Sequence, residues 1–190
     1  MRSLRSHEIA VITAVQRTPL ARALVGPARL YGFFGENSVG WVLLGALGAV
    51  LDPSRSALWL LSALAVLVAQ VASTGVKRLV RRPRPGAVAN PDGSFVLSGP
   101  GGYPRSTAGP VLVHAAAKSR LSFPSSHSSS TMAAVIVYGA MLPGLWLVGV
   151  LAVLGMGASR VLLGMHFPTD VLAGYALGLL VGLAAVLLLH

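Results

Sequence analysis

The chain has 190 residues, of which 54% are hydrophobic and 11% charged, with a mean hydropathy of +0.74 and no cysteine. About a quarter of the residues of a soluble globular domain are charged, so this composition excludes that class and indicates a membrane protein of one domain. The lack of cysteine excludes disulfides, thiolate metal sites and a cysteine nucleophile. The net charge of +10 is compatible with nucleic-acid binding, but basic loops beside anionic lipid explain it equally, and the hydropathy favours them.

The first 32 residues are basic, with five arginines among short apolar groups. A signal peptide would need an uncharged core ahead of a small-residue cleavage site, and this segment has none. We therefore expect a basic interfacial segment over residues 1–32, containing an amphipathic helix that lies in the membrane surface. Residues 33–190 should form a single membrane domain.

Five apolar stretches follow, and each approaches the ~20 residues that a helix needs to cross a bilayer. A tight turn at Asp52–Ser54 joins the first two as an antiparallel hairpin. A polar, Gly/Pro-rich loop over 86–123, which includes the turn sequences at 90–93 and 99–104, separates them from the last three, with a short helix near 111–117 as an alternative. The sequence predicts an all-α transmembrane bundle with spans at about 33–51, 57–76, 128–142, 145–163 and 171–189.

Counting these spans places three polar clusters at one end of the bundle: Lys77 to Pro85, the residues around His127, and Arg160 to Asp170. The same end carries 14 of the 15 lysines and arginines, and only Arg55 lies at the other. Positively charged loops stay in the cytoplasm, so we expect a multi-pass protein of the cell membrane whose site faces the cytoplasm.

The clusters supply groups that suit a phosphate ester. Lys77, Arg84 and Arg160 are cations, and Ser125 and Ser126 open a helix whose free N–H groups favour an anion. Ionisable residues at membrane depth mark functional sites by default, so we interpret these residues as a site.

Two imidazoles complete the set. His166 suits attack on phosphorus, with Asp170 fixing its tautomer and stabilising the imidazolium that forms. His127 suits protonation of the leaving alkoxide. Mg²⁺ sites need clustered carboxylates, and the five acidic residues of this chain do not cluster, so we expect no metal and no other cofactor. Glu36 is either a helix-start residue or part of the site, and the sequence does not decide between them.

In order and spacing, these residues resemble the signatures of the type 2 phosphatidic acid phosphatase (lipid phosphate phosphatase) superfamily. Lys77 to Pro85 matches Lys-x6-Arg-Pro, Pro124 to His127 matches Pro-Ser-Gly-His with Ser126 in place of Gly, and Ser159 to Asp170 matches Ser-Arg-x5-His-x3-Asp. The resemblance implies phosphate binding by Lys77, Arg84, Ser125, Ser126 and Arg160, with His127 as general acid, His166 as nucleophile and Asp170 as its orienter.

Within that superfamily, the small size, the predicted cytoplasmic face, Gly35 to Trp41 and the basic run at Lys77 to Pro85 resemble the actinobacterial decaprenylphosphoryl-5-phosphoribose phosphatases of arabinan cell-wall precursor synthesis. The resemblance implies a metal-independent phosphatase that hydrolyses a lipid-linked phosphomonoester through a phosphohistidine. Phosphatidylglycerophosphate, phosphatidic acid and polyprenyl pyrophosphate are alternative substrates.

Two other classes of function stand beside this one. A non-catalytic lipid-phosphate transporter can use the same cations, but does not need His166 and Asp170 in register. A basic membrane anchor should lose function gradually as any arginine is removed, whereas an enzyme should fail sharply at Arg160. We expect a lipid-linked phosphate and membrane lipids as partners and no nucleic acid, and the sequence does not indicate an oligomeric state.

Overall fold

The computed structural model describes residues 2–89, 95–97, 111–115 and 119–189. The described residues are almost entirely helical, with one short antiparallel strand pair in the loop and 3-10 turns between successive helices. The helices are α1 (Arg2–Arg17), α2 (Pro19–Phe34), α3 (Val39–Leu51), α4 (Ser56–Val80), α5 (Ser126–Met141), α6 (Trp146–Leu162) and α7 (Pro168–Leu189), and the strands are β1 (Ala87–Ala89) and β2 (Phe95–Leu97).

The all-helical membrane fold is confirmed, whereas the count of five spans is not. Within the part of the chain that the structure describes, three helical stretches are long and apolar enough to cross a membrane: Pro53–Val80, Pro143–Leu162 and Pro168–Leu189. A fourth span is available if α2 and the stretch Glu36–Leu51, which are bent by 45° relative to each other, count as one. The predicted span at 128–142 is α5, whose 16 residues extend about 24 Å and fall short of a full crossing.

The N-terminal region forms two helices where one was expected. Thr18 is extended (φ −64°, ψ 145°) because the residue before a proline avoids helical geometry, and Pro19 then opens α2. Helix α2 continues past residue 33 and ends at Phe34. Residues 35–38 then interrupt the helix inside the predicted first span. The position of α1 in the membrane surface remains a prediction.

Helix α5 is the centre of the bundle, with buried side chains on nearly all sides. Helix α7 approaches it closely because Gly174, Gly178 and Gly182 recur every fourth residue on the facing side. A Cβ atom at Gly174 or Gly178 would collide with the backbone carbonyl of Ser125 or Ser129. This close packing places the start of α5 beside the start of α7.

Aromatic side chains join α3 and α4 to α5. The indole N–H of Trp41 donates to Thr131 Oγ1 at 3.1 Å, and the Tyr138 hydroxyl donates to the Trp41 carbonyl at 2.8 Å. Tyr138 also packs on Trp59, with 5.6 Å between ring centroids. These contacts fix α3 and α4 against α5.

The loop over 86–123 is only partly described, and the turn sequences at 90–93 and 99–104 lie outside the described residues. Residues 111–115 form no helix, so the alternative of a helix near 111–117 is wrong for that part. They run extended beside α1 and the end of α6. Gln16 donates to the carbonyls of Leu112 (2.6 Å) and Leu162 (2.9 Å), and His114 N–H donates to the Leu163 carbonyl at 3.0 Å.

Candidate active site

A polar cavity of about 300 Å³ lies where α4 ends, α5 begins and α6 is joined to α7. Three segments that are far apart in sequence meet there, because α4 and α6 end at the level at which α5 and α7 start. The cavity wall contains six of the eight predicted site residues: Lys77, Arg84, Ser126, His127, Arg160 and His166.

Lys77 and Arg84 reach the cavity from either side of a helix end. Lys77 lies in the last turn of α4, which terminates at Arg81 in a left-handed conformation (φ 54°). The chain then turns back, and Arg84 donates to the carbonyls of Ser119 and Met165, each at 2.7 Å. Burial lowers the pKa of Arg84 to about 10, while the charges of Asp170 and Glu36 oppose the shift. Arg84 is therefore still a cation at neutral pH.

Arg160 supplies the third cation from the last turn of α6. Its Nε donates to Ser159 Oγ at 3.1 Å, and its Nη2 donates to the Ala28 carbonyl at 3.3 Å. Lys77, Arg84 and Arg160 are all less than a tenth exposed, and none forms a salt bridge with a carboxylate among the residues that the structure describes. Three buried cations with no carboxylate in direct contact are costly, so this cavity favours an anionic ligand.

The contacts of His166 fix which ring nitrogen carries its proton. Arg84 Nη1 lies 3.2 Å from His166 Nε2, and because a guanidinium can only donate, Nε2 must accept. The neutral ring therefore carries its hydrogen on Nδ1. Burial lowers the pKa of His166 well below its ordinary value, and the neighbouring Arg84 and Lys77 lower it further. A neutral imidazole with a lone pair on Nε2 is the form that can act as a nucleophile.

Asp170 lies behind His166 and does not line the cavity. Its Oδ2 accepts from the backbone N–H of Phe167 at 2.8 Å and lies 3.7 Å from His166 Nδ1. That separation is longer than a hydrogen bond, and among the described residues Nδ1 has no hydrogen-bond partner. A small rotation of the ring would bring the two atoms into contact, so the arrangement suits an imidazolium that forms during reaction.

His127 stands in the first turn of α5, opposite His166. Its Nε2 lies 3.2 Å from the Gly32 carbonyl and 3.4 Å from Glu36 Oε2, and both of these oxygens are acceptors. Nε2 therefore carries a hydrogen, which leaves Nδ1 to gain or lose a proton. Glu36 is thus a neighbour of the site rather than only a helix-start residue, and Asn37 and Ser38, both in left-handed conformations, form the break that presents it.

The two serines differ in position. Ser126 lines the cavity at the N-terminus of α5. Ser125 does not: its Oγ accepts from the Ser128 N–H at 3.3 Å and caps α5, and its own N–H donates to the Asp170 carbonyl at 2.9 Å. The expected contact of Ser125 with phosphate therefore stays a prediction, and its observed contacts fix the start of α5 to α7.

Sequence reasoning missed two residues close to this site, Arg82 and Glu8. Arg82 donates to Asp170 Oδ1 at 2.8 Å, and Glu8 in turn accepts from Arg82. Arg82 belongs to a run of cations whose inward and outward members cannot be told apart by residue type. Glu8 did give a signal, since it is the only acidic residue among the first 35.

An open apolar cavity of about 1480 Å³ adjoins the polar one and is lined mainly by side chains of α2, α3, α5 and α6, several of which are exposed. Glu36 and Asn37 line both cavities and so mark the boundary between them. This arrangement can accept a molecule with an anionic head group and a long apolar chain. Across the described part of the chain, no group of three His, Asp or Glu side chains could hold a metal ion, and independence from metal stays a prediction.

Comparisons with known proteins identify a family and a fold. The profile of the PAP2 superfamily matches residues 57–190. The chain is 39% identical over 176 residues to a decaprenylphosphoryl-5-phosphoribose phosphatase of Mycobacterium tuberculosis, covering 92% of this chain and 86% of that one. It is 47% identical over 81 residues to phosphatidylglycerophosphatase B of Bacillus subtilis, which covers 36% of this chain. The crystal structure of a transmembrane PAP2-type phosphatidylglycerolphosphate phosphatase from Bacillus subtilis has the same fold, with a TM-score of 0.70 and 22% identity over 99% of this chain and 87% of that one.

Proposed function

This chain belongs to the PAP2 superfamily and is a phosphatase, and from that premise we propose that it hydrolyses the phosphomonoester of decaprenylphosphoryl-5-phosphoribose. The reaction releases inorganic phosphate and leaves the ribose hydroxyl on the lipid. The observation that carries the proposal is the cavity itself, in which three buried cations surround two imidazoles. The likeness to the mycobacterial enzyme over 92% of the chain supports the choice of substrate.

The phosphate of the substrate is an anion, and its negative charge balances the positive charge of the buried cations. Its oxygens take over the hydrogen bond that Arg84 makes to His166 Nε2, which frees the lone pair of that nitrogen. Lys77, Arg84, Arg160 and the free N–H groups at the start of α5, including that of Ser126, then hold the phosphoryl oxygens and stabilise the charge of the transition state. Because these groups are already in place, little reorganisation is needed during the reaction.

Transfer then takes two steps. His166 Nε2 attacks phosphorus, the bond to the ribose oxygen breaks, and that oxygen takes a proton from Nδ1 of His127, which enters the reaction as the imidazolium. The Nδ1 hydrogen of His166 turns to Asp170, which stabilises the phosphorylated ring. In the second step His127 accepts a proton from water, the resulting hydroxide attacks phosphorus, and the bond to Nε2 breaks. Phosphate leaves, and both histidines return to their starting states.

A lipid-linked substrate fits the second cavity. The apolar space beside Glu36 and Asn37 adjoins the phosphate cavity and is large enough for several isoprene units. We place the isoprenoid chain there and the ribose at the boundary, beside the carboxylate of Glu36. The phosphate-binding end then faces the cytoplasm of the cell membrane, in keeping with the excess of cations at that end.

Phosphatidylglycerophosphate is the second candidate substrate, because the chain shares 47% identity over 81 residues with an enzyme named for that activity. Phosphatidic acid and polyprenyl pyrophosphate present similar anionic groups. The match covers only 36% of the chain, and this shorter extent ranks the substrate below the ribosyl phosphate.

The proposal is tested by phosphate release from purified protein in detergent containing EDTA, with each of these four lipids as substrate. We expect the highest kcat/KM with decaprenylphosphoryl-5-phosphoribose and activity that persists in chelator. His166→Ala should fold and release no phosphate. A preference for another lipid would overturn the substrate, and near-parental turnover by His166→Ala would overturn the mechanism. A transporter would show no phosphate release with any of them.

A further inference from the structure

A line of polar side chains leads from helix α1 to the back of His166. It starts at Glu8, which is 4% exposed although most of its neighbours on α1 are accessible. Glu8 Oε1 accepts from the backbone N–H of Thr169 at 3.1 Å and from the Thr169 hydroxyl, and Oε2 accepts from Arg82 Nη2. Both oxygens of this buried carboxylate are therefore directed at the start of α7.

Arg82 continues the line to Asp170. Its Nη1 donates to Asp170 Oδ1 at 2.8 Å and to Thr169 Oγ1 at 2.6 Å. Its Cζ also lies 4.1 Å from the centroid of the Phe167 ring, a distance that allows a cation–π contact. With two acceptors on Nη1, Glu8 on Nη2 and a ring below, the guanidinium is held in one orientation, and it holds the Asp170 carboxylate in turn.

The charges along this line alternate, and the alternation matters for the reaction. Arg82 on its own would offset the negative charge with which Asp170 stabilises the His166 imidazolium. Glu8 offsets Arg82, so the three groups together remain net negative beside His166. Burial raises the pKa of Glu8, but hydrogen bonds from Thr169 and Arg82 outweigh it and hold the pKa below its ordinary value. Glu8 is therefore ionised at neutral pH.

We propose that Glu8 is a positioning residue of the phosphatase reaction, which acts through Arg82 on the orientation and charge of Asp170 and hence on His166. The proposal rests on the function proposed above, because it requires His166 as nucleophile. It makes helix α1 part of the catalytic apparatus, whereas the sequence indicated only a basic surface segment. The three superfamily signatures contain neither Glu8 nor Arg82 as a defined position.

Docking of α1 is separable from this role. Ile12 packs against Val111 and Phe167, and Gln16 donates to the carbonyls of Leu112 and Leu162. Among the described residues, the Gln16 side chain forms its hydrogen bonds with Leu112 and Leu162 and none with Arg82 or Asp170. Gln16→Ala therefore removes docking hydrogen bonds without changing a charge near His166, and it serves as the control for Glu8→Gln.

The test compares kcat, KM and thermal midpoint for Glu8→Gln, Arg82→Gln, the double variant, Gln16→Ala and the exposed-cation control Arg81→Gln. By analogy with hydrogen-bond partners that orient ligating histidines, we expect about a tenfold loss of kcat in Glu8→Gln and in Arg82→Gln, with KM within about twofold. The double variant should lose no more than Arg82→Gln alone, because the proposed effect of Glu8 on Asp170 passes through Arg82. Both controls should keep kcat within about twofold.

Parental kcat in Glu8→Gln, or an equal loss in Gln16→Ala, would overturn the proposal. Losses of Glu8→Gln and Arg82→Gln that multiply in the double variant would also overturn it. If Glu8→Gln cannot be purified, Thr169→Val takes its place, with a loss of kcat expected and parental kcat counting against the proposal. Near-parental turnover in His166→Ala would instead remove the proposed function, so the two failures are distinguishable.

Discussion

Arg84 covers the nitrogen that the proposed mechanism uses as its nucleophile. It donates to His166 Nε2, so in that mechanism the lone pair becomes free when an anion draws the guanidinium away. The same arginine then binds that anion. Since a neutral ligand offers no such exchange, the geometry itself favours a phosphate with its full charge.

A first prediction concerns Arg160, which lies in the cavity wall and is 3% exposed. Arg160→Ala should lower kcat/KM by at least about 100-fold, because it removes a charge already aligned with the transferring phosphoryl group. Arg81→Ala is the matched control, since the Arg81 side chain is exposed and its Nε donates to the Arg78 carbonyl rather than into the cavity. Phosphate release by the two variants checks the prediction, and a similar, gradual loss in both would favour a basic membrane anchor.

A second prediction follows from the lowered pKa of His166. The folded chain keeps this ring neutral, whereas the unfolded chain binds a proton near pH 6.5. The unfolded state thus holds more protons than the folded state below about pH 6.5. As the pH is lowered in that range, the free energy of unfolding falls by at most about 1.4 kcal/mol per pH unit. Thermal midpoints at pH 7.5 and 5.0 should differ less in His166→Gln than in the parent. Equal differences in both proteins would contradict the assigned pKa.

The sequence predicted which residues meet at the site better than it predicted how they are supported. Lys77, Arg84, His127, Arg160 and His166 share one cavity, as the signatures and the alternation of spans indicated. These side chains are held by backbone carbonyls and by carboxylates outside the cavity. Which of those groups come close depends on the path of the loops and not on residue spacing. Glu8 and Asp170 are 162 positions apart, and no local pattern relates them.

At the scale of elements, α5 is the largest departure from expectation. Hydropathy predicted a span because it averages residue types and does not report which neighbours surround a helix. The helix begins with four serines among its first five residues, and two of those hydroxyls donate to backbone carbonyls, Ser129 to Ala69 and Ser130 to His127, each at 3.3 Å. Small side chains let α4 and α7 pack closely around the start of α5. The glycines spaced at four along α7 were a readable signal of this packing.

A third prediction tests that helix contact. Gly178→Leu should lower the thermal midpoint and the yield of folded protein, because the added side chain has to displace the Ser129 carbonyl and the Met132 side chain. Gly75→Ala is the control within another helix, since nothing lies within 4 Å of a Cβ there. That change should be neutral or stabilising by up to about 1 kcal/mol, as in other exposed helix interiors. Thermal midpoints in detergent measure both, and a larger loss at Gly75 would contradict the packing.

At the scale of the whole molecule, charged groups and apolar surface lie in separate regions, and this separation suits a reaction on a lipid-linked phosphate. The polar cavity, with its cations, its histidines and the N-terminus of α5, lies at one end of the bundle. The adjoining apolar cavity lies along the apolar helices. A lipid can thus present its phosphate to water-side chemistry without leaving the membrane. The bend between α2 and α3 forms part of the wall of both cavities, because it places Glu36 and Asn37 at their boundary.

A fourth prediction concerns orientation, and the lack of native cysteine makes it simple to test. A cysteine at Arg55, in the turn between α3 and α4, should react with a membrane-impermeant maleimide on intact cells. A cysteine at Arg81, after α4, should react only in inverted membrane vesicles. These outcomes follow from the excess of cations at the active-site end. The reverse pattern would place the site on the outer face.

The most direct test of the central claim is to trap phosphate from a labelled lipid substrate on the protein and to locate it. We predict an acid-labile, alkali-stable label on His166 in the parent, a longer-lived label in His127→Gln because water lacks its base, and no label in His166→Ala. Labelling of His166→Ala at the parental level, or steady turnover with no label in any variant, would contradict the account.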